Sequence, residues 1–164
     1  MHHIHPYTRH ADPHHYTHGV AHIRKLIRDN VVTSLTGLTS TGSNVYASRV
    51  YPLAPNKLPG LAIFTNSENI AYRTVNPPRT LIRTMTVNVE IYVKAVTTFD
   101  DDLDTVIAEV EAALYTDITR GGYAEDTKIS SIDVQFSGDG DQPVAGARLD
   151  VEVTYFTTEG SPTN

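Results

Sequence analysis

The chain has 164 residues, of which 40% are hydrophobic and 20% charged, a composition typical of one globular domain. It contains no cysteine, which excludes disulfides, thiolate metal sites and thiol catalysis. The net charge of −6 is unevenly distributed, because residues 1–98 carry six net positive charges and residues 99–164 carry twelve net negative charges. We expect no membrane-spanning helix, since no apolar run approaches about 18 residues, and no secretory signal, since the N-terminus has no apolar h-region.

The N-terminal part of the chain combines a polar arm with a helix. All eight histidines lie within the first 22 residues, and residues 1–19 are predicted to form a His-rich arm. Apolar residues at three- and four-residue spacing, from Val20 to Val31, predict an amphipathic helix. Asp12-Pro13 is a suitable helix start, and Gly19 makes a start near residue 18 the alternative. A single domain is predicted over residues 20–157, with a flexible tail at 158–164.

The middle of the chain is predicted to contain two short strands and one long strand. Residues 45–51 and 61–65 are the short candidates, with three prolines between them that exclude a helix. Residues 66–80 are predicted to form an exposed loop or an irregular excursion. Strict alternation of apolar and polar residues over 81–96 predicts a long antiparallel strand with one buried face.

The last part of the chain is predicted to form an acidic helix and a hairpin. The sequence TFDDDLDTVIAEVEAALYTDI places aspartates in a first helical turn and an apolar stripe behind them. Two alternating segments, KISSIDVQF and AGARLDVEVTYF, predict two strands joined by a loop over 137–146. The fold class is therefore α+β, a mostly antiparallel or mixed sheet with two helices packed on one face.

A search for chemistry yields no catalytic, cofactor-binding or metal-binding assignment. His14, His18 and His22 fall at i, i+4 and i+8, a spacing that would suit a divalent metal on one helix face. However, there is no HExxH pattern and Asp12 is the only acid nearby, so we interpret these histidines as part of an arm. FDDDLD fits a helix start better than a magnesium site, and SGDGDQP fits a hairpin turn better than a calcium loop.

With this order of elements, the chain resembles the tail terminator proteins of long-tailed bacteriophages, the lambda tail terminator-like family. The likeness covers roughly residues 20–157. It is carried by VAHIRKLIRDNV, by ASRVYPLAPNKLPGLAIFT leading to TMTVNVEIYVKAV, and by DDDLDTVIAEVEAAL followed by ARLDVEVTYFT.

The resemblance implies a protomer without enzymatic activity or cofactor that forms a six-membered ring. Such a ring caps the head-proximal end of the tail tube, stops tube growth and provides the interface for head joining. Implied partners are the chain itself, the tail tube protein and the head connector or neck protein, with DNA only passing through the lumen and no membrane. The implied location is the virion tail, assembled in the host cytoplasm.

The residues themselves suggest how such a ring would form. We expect the basic first half of one copy to meet the acidic second half of the next, as in a heterologous contact. The loops over 66–80 and 137–146 are the candidate docking segments, with Arg73, Arg79, Asp139 and Asp141 as interface residues. The alternatives are a phage neck or tail-completion protein and, more remotely, a metal-dependent enzyme that uses the His arm.

Overall fold

The structure, a computed structural model, describes residues 21–47, 54–137 and 144–163. Five strands form one mixed sheet in the order β1-β2-β3-β5-β4, and two helices lie against it. The elements in chain order are α1 (Ile23–Leu35), β1 (Val45–Tyr46), a short 3-10 helix (Pro55–Lys57), β2 (Gly60–Tyr72), β3 (Thr80–Lys94), α2 (Phe99–Tyr115), β4 (Asp126–Ser137) and β5 (Val144–Thr158). The predicted α+β class is confirmed.

The core lies between the helices and one face of the sheet. The alternating strand predicted over 81–96 is confirmed as β3, and its apolar positions are buried while most of its polar ones are partly exposed. β5 alternates in the same way along its whole length. This match follows from the pleat, which sends successive side chains to opposite faces. β3 and β5 are the central pair of the sheet, so their buried faces form the floor of the core.

Both helices bury the stripes that their spacing predicts. α1 buries Ile23, Ile27, Val31 and Leu35. α2 buries Leu103, Val106, Val110 and Leu114, and its first turn carries Asp100, Asp101 and Asp102 next to the positive end of the helix dipole. α1 contacts β1 and β2, whereas α2 contacts β3, β5 and β4, so the helices cover different halves of the same sheet face.

The prediction of an exposed loop over residues 66–80 is wrong. β2 continues to Tyr72 and pairs with β3 up to the Tyr72–Leu81 pair, which leaves only residues 73–79 as a turn. The register shifts between Thr65 and Ser67, so a bulge at Asn66 reverses which residues face the helices. The second half of β2 is mostly exposed, and its sequence therefore lacks the apolar alternation that marks a half-buried strand.

The first short strand is only partly described. The strand predicted over 45–51 exists as Val45–Tyr46, while residues 48–53 lie outside the described residues.

The remaining predictions concern the two ends of the chain. The arm at 1–19 and both proposed helix starts also lie outside the described residues, and α1 begins at Ile23 in the described part. Near the other terminus, where a tail is predicted, the Pro162 carbonyl accepts a hydrogen bond from Ile23 N at 3.1 Å.

Candidate assembly surfaces

The turn between β2 and β3 is held by its two arginines. The guanidinium of Arg79 lies 3.0 Å from the Glu159 carboxylate and also stacks over the Tyr72 ring, at 5.3 Å from its centroid. Arg73 stacks over the Phe156 ring, at 4.9 Å from its centroid. These contacts hold the turn against the C-terminal end of β5.

The predicted interface residues are therefore only partly located. Arg73 and Arg79 lie in the same turn, where each already contacts another side chain of the chain. Asp139 and Asp141 lie outside the described residues. Their role as interface residues stays a prediction.

Below the turn, a buried carboxylate ties four elements together. The side chain of Glu68 in β2 is 8% exposed, and its carboxylate lies 3.0 Å from Arg83 of β3 and 3.7 Å from Arg24 of α1. The Tyr155 hydroxyl of β5 donates a hydrogen bond to the same carboxylate. Burial, followed by this hydrogen bond, raises the pKa of Tyr155. The phenol therefore remains a donor to Glu68, whose carboxylate also pairs with Arg24 at the start of α1.

His22 has a structural role at the start of α1. It is the N-cap residue, and its Nδ1 accepts a hydrogen bond from Arg24 N at 3.0 Å. Partial burial and then the neighbouring Arg24 charge lower the pKa of His22 from its usual 6.5.

His14 and His18 lie outside the described residues, and within the described part no three His, Asp or Glu side chains are grouped to hold a metal ion. Of the three histidines considered for a metal site, only His22 is therefore among the described residues.

A basic cleft lies between α1 and β2. It has a volume of about 550 Å³ and is lined by Arg24, Arg28, Asp29, Ala47, Ile63, Phe64, Thr65 and Asn66. In the described ranges β1 pairs with β2 at Leu61 and Ala62. Arg28 has no acidic side-chain partner among the described residues. We call the eight lining residues the basic cleft.

An acidic flank lies at the opposite edge, on the side of α2 that faces β4. Helical spacing places Asp100, Asp104, Glu111 and Tyr115 along one side of α2. This side faces β4, because the Tyr115 hydroxyl accepts a hydrogen bond from Ile129 N at 3.1 Å. No basic residue occurs in α2 to neutralise it.

Beside the acidic flank, the edge strand β4 exposes apolar side chains. Ile132 and Val134 are 41% and 55% exposed, and after a register shift at Ser130 both point to the helix side of the sheet. In the described part of the chain β4 has a strand on one side only. We define the acidic edge as Asp100, Asp104, Glu111, Ile132 and Val134. Exposed apolar residues on an open strand edge are typical of an interaction surface.

Rows of paired residues across the sheet connect the basic cleft with the acidic edge. One row of paired residues runs from Ile63 through Val89 and Leu149 to Ile132. The next row begins at Thr65 in the cleft and ends at Ile129, which binds Tyr115. The two surfaces are therefore joined through the same rows of paired residues, one on the β2 side and one on the β4 side.

The face of the sheet away from the helices carries a polar network. Asn88, only 1% exposed, donates a hydrogen bond to Asp150 on the adjacent strand. Ser131 donates to the other Asp150 oxygen at 3.0 Å, and Arg148 lies 3.4 Å from the same carboxylate. The two hydrogen bonds to Asp150 join β3, β5 and β4 on the sheet face that neither helix covers.

Sequence patterns alone do not identify several residues of these surfaces. Arg24 and Arg28 are spaced i, i+4 on the polar side of α1, which signals a shared face but not a cleft. Ile132 and Val134 read as ordinary core positions of an alternating strand. Their exposure depends on the place of β4 at the edge of the sheet, which no local pattern reveals.

No protein-family model matches the chain, and no curated protein matches it. Among solved structures the chain is similar to a chain of the "Virion of native gene transfer agent (GTA) particle", with 12% sequence identity and a TM-score of 0.34. The match covers 87% of this chain and 99% of that chain. A likeness at this identity and TM-score carries no functional conclusion. As for membranes, neither α1 nor α2 is long and apolar enough to span one.

Proposed function

We propose that the chain is a structural assembly protein of a phage-like virion, specifically a tail terminator. Its copies form a ring on the head-proximal end of the tail tube, stop tube polymerisation and present a surface to the head connector. Six copies per ring, a location in the virion tail and DNA passing through the lumen are parts of the same proposal. The protein acts by binding and has neither an enzymatic activity nor a cofactor.

The observation that carries the proposal is the separation of charge between the two lateral edges of the sheet. Residues 21–47 and 54–79 contain six basic and two acidic residues, whereas residues 99–137 contain ten acidic and two basic ones. The first group includes α1 and β2 at one edge, and the second includes α2 and β4 at the other. Two different, complementary edges favour head-to-tail association, which closes into a ring when the rotation between copies allows it.

Two further features support an assembly role. The order of elements on which the resemblance to tail terminators depends, an early helix, a long strand, an acidic helix and a final hairpin, agrees with the elements of the structure. In addition, the β2–β3 hairpin exposes Ile70, Tyr72 and Val75, the last of which is 87% exposed. An exposed apolar group of this kind at the end of a rigid hairpin suits docking onto another protein.

The test is assembly of purified tail tube protein with and without this chain, viewed by electron microscopy. We expect shorter tubes that carry a terminal ring of this protein at one end. The matched variants are Tyr72→Ser, on the exposed hairpin, and Val96→Ser, an exposed position away from it. Loss of capping with the first variant alone would assign the hairpin to tube docking.

Unchanged tube growth without bound protein would contradict the terminator proposal. The next candidate is then a neck or tail-completion protein, which binds the portal side of the joint and not the tube end. Pull-down of the head connector by this chain, in the absence of tube protein, distinguishes that alternative.

A further inference from the structure

We propose that the side of the β2–β3 hairpin in one copy packs against the start of β4 in the next copy. We define the hairpin flank as Ile70 and Arg73, and the β4 start as Ile118 and Asp126. All four side chains belong to the described residues and are exposed. The inference rests on the self-association in the proposed function, and it names the residues that make the contact.

Strand direction is the first argument. The strands β2, β3, β5 and β4 are neighbours in this order, and each neighbouring pair is antiparallel. β4 therefore runs opposite to β2. When copies are related by rotation about an axis close to the strand direction, β4 of one copy and β2 of the next meet as antiparallel strands, in the pattern that already holds within the sheet.

Position along the strands is the second argument. Ile70 pairs with Arg83, which in turn pairs with Tyr155 on β5. The preceding residue of β5, Thr154, pairs with Asp126 at the start of β4. The hairpin flank and the β4 start thus belong to the same end of the sheet. A rotation without a shift along the strands therefore brings them together.

Burial of apolar surface on the helix-covered face is the third argument. Glu68 of β2 lies 3.7 Å from Arg24 of α1, so the alternation of side chains places Ile70 on the face that α1 covers. Ile118 follows the end of α2, and its carbonyl accepts a hydrogen bond from the Thr127 hydroxyl of β4 at 2.7 Å. Ile70 and Ile118 are 49% and 42% exposed, and contact between copies removes both side chains from water.

Charge on the opposite face of the sheet is the fourth argument. Arg73 stacks over Phe156, which follows the buried Tyr155 and so points away from the helices. Thr154 shares that face and pairs with Asp126. Neither Arg73 nor Asp126 has an ion-pair partner among the described residues. Contact between copies gives each of these charges a partner of opposite sign.

The test uses the absence of native cysteine, since an engineered pair then reports a single contact. Ile70 and Ile118 lie on opposite sides of β3 and β5, where strand spacings of about 4.8 Å each keep them too far apart for a disulfide within one chain. Under mild oxidation of the full chain, Ile70→Cys/Ile118→Cys should therefore give a ladder of cross-linked oligomers that stops at the closed ring. Either single variant should give nothing larger than a dimer, because one cysteine joins only two chains.

Two controls separate this contact from random collision and from failure to fold. Ile70→Cys combined with Val96→Cys, a 53% exposed position near the opposite end of β3, should give no ladder. Arg73→Glu in the Ile70/Ile118 cysteine pair should lower the cross-linking yield by about threefold or more, and adding Asp126→Lys should restore it. A restored yield shows that the chain with reversed charges is folded. A yield that is not restored would contradict the pairing of the two charges.

A Val96 pair that cross-links as well as the Ile118 pair, or an Ile118 pair that gives no ladder, would overturn the inference. The tube assay separates the two proposals, because Tyr72 and Val75 lie nearer the turn of the hairpin and stay available for the tube. Capping without Ile70–Ile118 cross-links leaves the terminator function standing and rejects this contact. Cross-linked rings that fail to cap tubes retain the contact and reject the terminator function.

Discussion

The hydroxyl of Tyr155 on β5 donates a hydrogen bond to the carboxylate of Glu68 on β2, across the intervening strand β3. Arg83 of β3 completes the arrangement with an ion pair to Glu68 at 3.0 Å. Three strands and the start of α1 thus meet at one buried charge. A buried carboxylate is tolerated because each neighbouring group satisfies part of it.

Removal of the Tyr155 hydroxyl should therefore weaken the fold. We expect Tyr155→Phe to lower the free energy of unfolding by about 1–3 kcal/mol, since the acceptor is a buried charge. Glu68→Ala should cost more, about 3–5 kcal/mol, because it leaves Arg83 partly buried without its partner. Urea denaturation measures both. Tyr72→Phe, at a 63% exposed tyrosine, is the matched control, and an equal loss there would contradict the role of the Glu68 contact.

The cap formed by His22 should make stability depend on pH. Because the pKa of His22 in the folded chain lies below 6.5, the unfolded chain binds more protons near that pH, and stability falls as the pH drops through 6.5. Protonation also removes the Nδ1 acceptor for Arg24 N. The wild type should lose more thermal stability than His22→Asn from about pH 7.5 to about pH 5.5, since asparagine caps in both conditions. Identical losses would exclude the cap as the cause.

The pair formed by Arg79 and Glu159 should make a small contribution. The side chains are 38% and 35% exposed, so solvent screens their attraction. A double-mutant cycle with Arg79→Ala and Glu159→Ala should give a coupling of about 0.2–1 kcal/mol. A coupling of zero would mean that the turn is held by its backbone and ring contacts alone.

Gly146 should resist replacement by alanine. A Cβ atom there would lie 3.2 Å from the carbonyl oxygen of Ile91 and 3.5 Å from the Tyr92 ring. We expect Gly146→Ala to cost about 1–3 kcal/mol, as in other overpacked sites. The same substitution in a Tyr92→Leu background tests the cause. A cost that disappears there would assign it to the ring and not to the backbone carbonyl.

Salt should weaken the contact between copies. The Debye length falls from about 10 Å at 0.1 M ionic strength to about 3 Å at 1 M, so the opposite charges of the two edges attract less. The size of the self-associated protein, measured by analytical ultracentrifugation, should decrease over this range. An increased size would show that apolar burial, and not charge, dominates the contact.

The elements that the sequence predicts well are those with a buried stripe of regular period. α1, β3 and α2 each have apolar residues at the spacing of one face, because that face is buried against the core. The second half of β2 could not be predicted in this way. It is a strand because its backbone pairs with β3. Since its side chains are mostly exposed, apolar and polar residues do not alternate along it.

The same distinction between sequence pattern and strand pairing applies to the candidate surfaces. The sequence by itself determined the separation of charge, since the net charge is positive before position 99 and negative from there on. Only the tertiary structure decided that these charges occupy opposite edges. β5 pairs between β3 and β4, which places β4 and the flank of α2 beside it far from α1 and β2. Long-range strand pairing sets that order, and the exposure of Ile132 and Val134 follows from it because an edge strand has a neighbour on one side only.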